Sequence, residues 1–210
     1  MRTTKPEAMS GEPLSLPVYR HPFEPFLPQE ARILFLGSFP PQEKRWSMPF
    51  YYPNSQNDFW RIMGVVFFSD KDRFLKKDGK GFDMEEIKAF STRKGLAFYD
   101  SACAVRRLRD NASDKWLEVV EISPIMDMLD GMPHCCDVAF TGEKSARVLL
   151  DSYGLDIPPV GGSITMDSPF GRTLSFHRLP SSSRAYPLSL EKKAEAYRKL
   201  LREVGALDLE

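Results

Sequence analysis

The sequence is poor in the residues that mark several common classes of protein. Only three of its 210 residues are cysteine, at positions 103, 135 and 136, so neither a disulfide framework nor a four-cysteine metal site can be the basis of the fold. No run of about 18 apolar residues is present, which argues against a membrane-spanning helix. The N-terminus also lacks the apolar segment that a secretory signal needs. We therefore expect a protein of the reducing cytoplasm that does not associate with membranes.

The chain also has no excess charge of either sign. It carries 29 Lys and Arg against 29 Asp and Glu, which excludes a global attraction to nucleic acid but leaves room for a local basic surface. Hydrophobic residues make up 42% of the chain, enough for a packed core, so wholesale disorder is excluded. The length fits one domain. We expect a proline-rich arm over residues 1–28, anchored by Phe23 and Phe26, and a single domain over residues 29–210.

Within that domain, four short apolar runs alternate with amphipathic stretches. The runs span residues 32–36, 96–99, 138–140 and 173–179, and the amphipathic stretches span residues 57–68, 84–93, 116–129, 143–153 and 190–204. This alternation predicts a three-layer α/β/α sandwich with a central four-stranded parallel sheet. Ligands bind beyond the carboxyl ends of parallel strands, so one site is expected where the following loops converge. These loops begin at Gly37, Asp100, Thr141 and Pro180.

Two short motifs follow the first predicted strand. The first, GSFPP at residues 37–41, suits an ordinary strand exit, and it lacks the glycine spacing and the lysine of a phosphate loop. The second, PFYYPNSQNDFW at residues 49–60, places three aromatic residues before a turn and Asn57 before a helix. Two interpretations fit this second motif. Asn57 is a helix N-cap above a core of aromatic residues, or the aromatic residues form a platform for a planar ligand and the amide orients a reacting group.

Together the two motifs resemble the uracil-DNA glycosylase superfamily, closest to its mismatch-specific and hypoxanthine (deoxyinosine) DNA glycosylases. Three further segments extend the resemblance over residues 31–204: GLAFYDSACAVRRLRDNASD at 95–114, FTGEKSARVL at 140–149 and LPSSSRAYPLSLEKKAEAYRKLL at 179–201. The resemblance implies a DNA glycosylase of base excision repair. Such an enzyme hydrolyses the N-glycosidic bond of a deaminated base, uracil or hypoxanthine, that has been flipped out of DNA.

The resemblance also assigns residues to the site. A Gly-x-x-Pro loop ends the first strand in these families, and an aromatic residue five positions before the Asn of N-x-F-W stacks on the base. The matching base-binding residues here are Gly37, Ser38, Phe39 and Tyr52. The third loop residue activates water in the classical and mismatch branches, but Phe39 cannot transfer a proton. The position is also apolar in the hypoxanthine branch, where the Asn is essential, so Asn57 becomes the catalytic candidate. Ser181 stands in the place of a catalytic His or Asn, and its hydroxyl would stabilise a departing anion less than a cation would.

Asp100 stands where the classical enzymes have an asparagine that reads the base. An ionised carboxylate only accepts hydrogen bonds, so it would oppose the carbonyl beside the ring N–H of uracil. Asp100 is therefore protonated, faces another edge, or lies away from the base, where it caps a loop or pairs with Arg106 or Arg107. We expect His177 to be a structural side chain of the fourth strand, and we assign no role to His21 or His134.

Positive charge at the same loops predicts contact with duplex DNA. We expect the DNA-binding residues to be Lys44, Arg45, Ser182, Ser183, Arg184 and Tyr186. In this interpretation, Arg184 and Tyr186 form a wedge that fills the gap left by a flipped base. The alternative for this segment is a plain turn before the last helix. Other basic residues near the strand ends are at positions 106, 107, 109, 144, 147, 172 and 178.

Three functions from different classes are compatible with these residues. The expected one is a monomeric, monofunctional DNA glycosylase with no metal and no cofactor. The second is a lesion- or nucleic-acid-binding protein that kept the fold and lost turnover, which Phe39 and Ser181 favour. The third is a hydrolase of small nucleosides, although such an enzyme needs neither a wedge nor clusters of arginine.

Overall fold

Two β-sheets organise the chain in the structure, a computed structural model that describes residues 16–109 and 116–208. The strands are β1 (Val18–Arg20), β2 (Ile33–Gly37), β3 (Leu96–Asp100), β4 (Ala102–Arg107), β5 (Leu117–Ile122), β6 (Asp137–Phe140), β7 (Ser163–Asp167) and β8 (Thr173–Arg178). The α-helices are α1 (Phe59–Phe68), α2 (Met84–Arg93), α3 (Ile125–Asp130), α4 (Glu143–Ser152) and α5 (Leu190–Glu203), and a 3-10 turn spans Glu43–Arg45.

The central sheet has the strand order β3-β2-β6-β8-β7. Its first four strands are parallel and correspond to the four apolar runs of the sequence. The predicted three-layer α/β/α sandwich is confirmed, with one addition to its four-stranded sheet. Strand β7 joins the edge in antiparallel orientation. Its side chains alternate between exposed and half-buried, so it has no continuous apolar run to reveal it.

Helices cover both faces of the central sheet. On one face, the ring of Phe35 in β2 lies 5.2 Å from the ring of Phe59 in α1 and 6.4 Å from that of Tyr197 in α5. The strand register places Phe176 of β8 on the opposite face, where its ring lies 6.1 Å from that of Tyr153, directly after α4. Because the parallel strands are buried on both faces, their carboxyl ends are held in fixed positions, which suits them to carry a site.

A second sheet, antiparallel and of strand order β1-β4-β5, adjoins the end of β3. Only Ser101 separates β3 from β4. The prediction of one helix over residues 116–129 is wrong, because this stretch forms β5 and the short helix α3. Its residues Val119, Val120 and Ile122 favour a strand, and Pro124 disfavours a helical conformation for the residue before it.

The described part of the proline-rich segment packs on the body of the protein. Its strand β1 pairs with β4. Phe26 then exchanges two backbone hydrogen bonds with Phe98 of β3, of 3.1 and 2.9 Å. The side chains of Phe23 and Phe26 pack against the core. Residues 1–15 of the arm, and residues 110–114 of the segment after β3, lie outside the described residues.

None of the helices in the two described ranges has the length and apolar character that crossing a bilayer requires.

Candidate active site

A cavity of about 790 Å³ opens beside the carboxyl ends of the parallel strands. Residues from all four predicted loops line it. The sequence-predicted residues in its wall are Gly37, Ser38, Phe39, Arg45, Tyr52, Asn57, Asp100, Ser181, Ser182, Ser183 and Arg184. The other two predicted residues, Lys44 and Tyr186, are not part of the wall. The fold thus brings together side chains from β2, β3, the segment before α1 and the segment before α5.

Tyr52 is held as a platform in this wall. Its ring stacks face to face on Phe59, with centroids 3.8 Å apart and planes 8° from parallel. Its hydroxyl lies 3.1 Å from Oγ1 of Thr141, and burial raises the pKa of Tyr52 well above its ordinary value, so the phenol stays neutral. The backbone of Tyr52 has a φ of 52°, a left-handed conformation that is costly for a bulky residue and often accompanies a functional role.

Asn57 lies at the start of α1. Its Oδ1 accepts the N–H of Phe59 at 2.9 Å, a local turn contact. The interpretation of Asn57 as the helix N-cap is wrong by one position, because Asp58 is the N-cap of α1. Asn57 also lines the cavity, so the turn contact and the functional interpretation are compatible. With Oδ1 occupied by the backbone, the two N–H groups of Nδ2 are the donors that this side chain can offer a ligand.

The segment before α5 is joined to Asn57 through the backbone. Asn57 and Ser183 form an antiparallel bridge. The N–H of Asp58 donates to the carbonyl of Ser182 at 2.8 Å, and the N–H of Arg184 donates to the carbonyl of Gln56 at 3.1 Å. These contacts hold the two segments of the cavity wall as one unit.

Contacts within the protein hold the side chain of Arg184. Its guanidinium contacts Oδ1 of Asp58 at 3.0 Å and also donates to the carbonyl of Ser55. Lys193 of α5, only 1% exposed, contacts the other carboxylate oxygen of Asp58 at 3.2 Å. Asp58 therefore pairs with two cations. The sequence does not reveal these pairs, because Asp58 precedes both cations by more than 120 positions. The role of Arg184 as a wedge stays a prediction.

The serines of this segment differ in their surroundings. Oγ of Ser181 accepts the N–H of Ser183 at 3.2 Å, a local turn contact. Ser182 is 1% exposed, and its contact with DNA stays a prediction. Lys44, Arg45 and Arg184 are exposed.

Asp100 is enclosed where β3 ends. Its Oδ2 lies 2.9 Å from Nε2 of His21, and its carboxyl group also receives a backbone hydrogen bond from Gly37. A Cβ on Gly37 would lie 2.3 Å from Oδ1 of Asp100, so a larger residue there would displace the carboxyl group. Burial raises the pKa of Asp100, and the hydrogen bond from His21 opposes that rise.

The partner of Asp100 is thus not one of the two arginines weighed in the sequence analysis. Arg106 pairs with Glu118 at 2.9 Å, and Arg107 donates to the carbonyl of Pro40. The actual partner, His21, was given no role from sequence. A histidine between prolines carries no local signal of a contact with a residue 79 positions away.

Other predicted polar residues have structural partners. His177 lies 2.7 Å from Oδ1 of Asp137 and is not part of the cavity wall, which agrees with its expected structural role. Arg172 donates to backbone carbonyls of residues 129, 132 and 133 near the end of α3, so it is not available for phosphate. Among the residues that the structure describes, no cluster of three His, Cys, Asp or Glu side chains could hold a metal ion.

Comparison with known proteins identifies the fold. No protein-family model matches the sequence, and no curated protein matches it. Among solved structures, the chain is similar to the solution NMR structure of "a putative Uracil DNA glycosylase from Methanosarcina acetivorans", with a TM-score of 0.60. The alignment covers 90% of this chain and 99% of the other at 20% sequence identity. The two chains share one fold. At this identity the similarity concerns the fold alone.

The raised pKa of Asp100 predicts how the stability of the fold depends on pH. The folded protein holds the Asp100 proton at pH values where the unfolded chain, with a pKa of about 3.9, has lost it. The stability that comes from this group is therefore present below the unfolded pKa and is lost as pH rises through the raised folded pKa. Asp100→Asn has no such proton. Urea unfolding at a series of pH values should show the variant gaining stability relative to the wild type as pH rises through this window, and a constant difference would contradict the assignment.

Proposed function

We propose that this protein is a monofunctional DNA glycosylase that removes a deaminated base flipped out of duplex DNA. The observation that carries the proposal is the convergence of Tyr52 and Asn57 on one cavity at the carboxyl ends of the parallel strands. A flipped base needs a flat surface to stack on, which Tyr52 offers, and polar groups to contact its edge. The shared fold with the putative uracil DNA glycosylase supports the same conclusion.

The chemistry follows from the groups in the cavity wall. In the hydrolysis, a water oxygen bonds to C1′ as the bond between C1′ and the base nitrogen breaks. The electron pair leaves with the base, and the proton that the water loses passes to the base or to solvent. The transition state combines a cationic sugar with an anionic base, so fixed donors contribute more than a strong nucleophile. In this proposal, Nδ2 of Asn57 orients the attacking water or donates to the base, Tyr52 holds the ring plane, and Phe39 excludes solvent without moving a proton.

Contact with the duplex is assigned to the exposed rim of the cavity. Arg45 in the 3-10 turn and Arg184 are exposed cations of the wall, and the exposed Lys44 directly precedes Arg45. Contacts from such side chains to phosphate position a duplex without reading its sequence. Arg184 can serve the DNA while its network with Asp58 keeps the segment in place, because 44% of its side chain is exposed.

Arg184→Ala tests a further role of Arg184, as the wedge that fills the gap left by the flipped base. We expect duplex binding to weaken by about tenfold, and excision from paired sites to slow more than excision from single strands, because an open stack must be held only in a duplex. Arg202→Ala, at the other end of α5, removes the same charge from a distant exposed position and should change neither. Equal losses on duplex and single-stranded substrates would assign Arg184 to phosphate contact or to loop stability alone.

The function itself is tested on labelled duplexes that contain uracil, hypoxanthine or xanthine. The pure protein is incubated with each duplex, and alkali then breaks the strand wherever a base has been lost. Strand breaks at the modified position support the proposal. Binding without breaks would instead support a lesion-binding protein, a candidate favoured by the apolar Phe39. Release of base from free deoxynucleosides but not from duplexes would support a nucleoside hydrolase.

A further inference from the structure

The arm places an enclosed histidine directly behind the cavity wall. The N–H of His21 donates to the carbonyl of Cys103 at 2.8 Å, which extends the pairing of β1 with β4. Its side chain is 2% exposed and does not line the cavity. Four rings surround the imidazole at centroid distances of 4.7 to 6.0 Å, those of Phe23, Phe39, Tyr51 and Tyr99.

The contacts of the imidazole bear on which of its nitrogens carries a proton. Nδ1 lies 3.2 Å from the N–H of Phe23 and 2.9 Å from the carbonyl oxygen of Phe23. Nδ1 can therefore accept from this N–H or donate to this carbonyl. Beside an ionised Asp100, Nε2 must carry a proton, because Nε2 and Oδ2 lie 2.9 Å apart and would otherwise be two acceptors facing each other.

Asp100 receives a donor on each side and retains acceptor capacity. A carboxylate has about four lone-pair sites. His21 occupies one and the backbone of Gly37 occupies another. The residue also lines the cavity, so the remaining sites can meet a ligand. A carboxyl group held by two donors keeps one orientation, and both donors oppose the rise in the pKa of Asp100 that burial causes.

We propose that His21 is a positioning residue, which holds the carboxylate of Asp100 as an acceptor for the ring N–H of the flipped base. The proposal rests on the proposed function and deepens it, since it names the base edge that the site reads. Deamination converts the ring nitrogen of adenine or cytosine beside the exocyclic group from an acceptor into an N–H donor. A fixed acceptor thus favours the deaminated base, because a lone pair facing the carboxylate would leave both groups unpaired.

Two variants of one residue separate positioning from packing. His21→Gln places an amide near the position of Nε2, where it can still donate to Asp100. His21→Asn places the amide near Nδ1, where it contacts Phe23 but does not reach Asp100. Phe26→Leu serves as a control, because it weakens the packing of the arm away from the cavity.

The readout is the preference between duplexes that contain hypoxanthine and 1-methylhypoxanthine, which differ in the ring N–H. We expect the wild type to prefer hypoxanthine by about tenfold or more in single-turnover rate, in line with the cost of one unpaired group. His21→Gln and Phe26→Leu should keep this preference and His21→Asn should lose it. Equal preferences in His21→Asn and His21→Gln would overturn the proposal and leave His21 a packing role.

Two further measurements test the role of His21 without relying on base release or on the variants. If the wild type releases no base, the proposed function fails, and equilibrium binding to the same two duplexes then gives the preference. In the wild-type protein, ¹⁵N NMR should show the proton of the His21 ring on Nε2. A neutral ring with its only proton on Nδ1 would contradict the proposal whatever the variants do.

Discussion

A protein in which Asn57 is replaced by serine is expected to bind a damaged duplex but to release its base about 100-fold more slowly. Removal of one fixed donor to the charge that develops in a transition state typically has an effect of that size. The expected loss is large because Phe39, in the neighbouring loop, offers no amide or carboxylate to share the task. Serine retains an oxygen that can accept the N–H of Phe59, so the turn before α1 should keep its conformation.

Asn54→Ser is the matched control for Asn57→Ser. Asn54 belongs to the same segment, lines the same cavity, and uses its Oδ1 to accept the N–H of Gln56 at 2.9 Å. Single-turnover rates on hypoxanthine and uracil duplexes, together with thermal unfolding, should show a slow but folded Asn57→Ser and a nearly normal Asn54→Ser. A folded Asn57→Ser that excises at the wild-type rate would remove Asn57 from the mechanism.

Replacing Tyr52 with alanine is expected to reduce excision by about 10- to 100-fold, because stacking of a base on an aromatic ring contributes about 1–3 kcal/mol. Phe59 supports one face of the Tyr52 ring at 3.8 Å, so the ring is rigid before the base arrives. The loss should appear as weaker binding of the flipped base, and therefore in the substrate concentration that half-saturates the enzyme as well as in the rate.

Tyr52→Phe separates the ring from the hydroxyl. It keeps the stacking surface and the left-handed backbone, and it removes only the contact with Thr141. We expect it to excise within a few-fold of the wild type. If Tyr52→Phe and Tyr52→Ala lose the same activity, the hydroxyl and not the ring is the functional group, and the platform assignment is wrong.

The strands and helices that could be predicted are those determined by residues close together in the sequence. The apolar runs predict the four parallel strands because burial on both faces demands such runs. The order of the strands then places the loops at Gly37, Asp100 and Thr141 on one edge of the sheet. Helix α5 was predicted nearly to its ends because Ser189 caps it and its apolar residues recur at helical spacing.

The parts that failed depend on contacts between distant residues. Strand β5 is an exception, because Val119, Val120 and Ile122 already favour a strand, and its pairing with β4 agrees with them. The pairing of Asp100 with His21 joins the arm to the end of β3, and nothing in either segment alone indicates it. The same holds for Arg184, whose partner Asp58 comes 126 positions earlier.

The contacts of Asp58 bear on when the candidate site is assembled while the chain is being synthesised. Asp58 leaves the ribosome long before Lys193, which follows it by 135 positions. Contacts between such distant positions form late, because the intervening chain must be ordered first. A nascent chain that ends before α5 already carries Tyr52, Asn57 and Asp100, but it lacks the buried cation that holds the segment after β8 in place. We therefore expect the site to be assembled only when α5 docks.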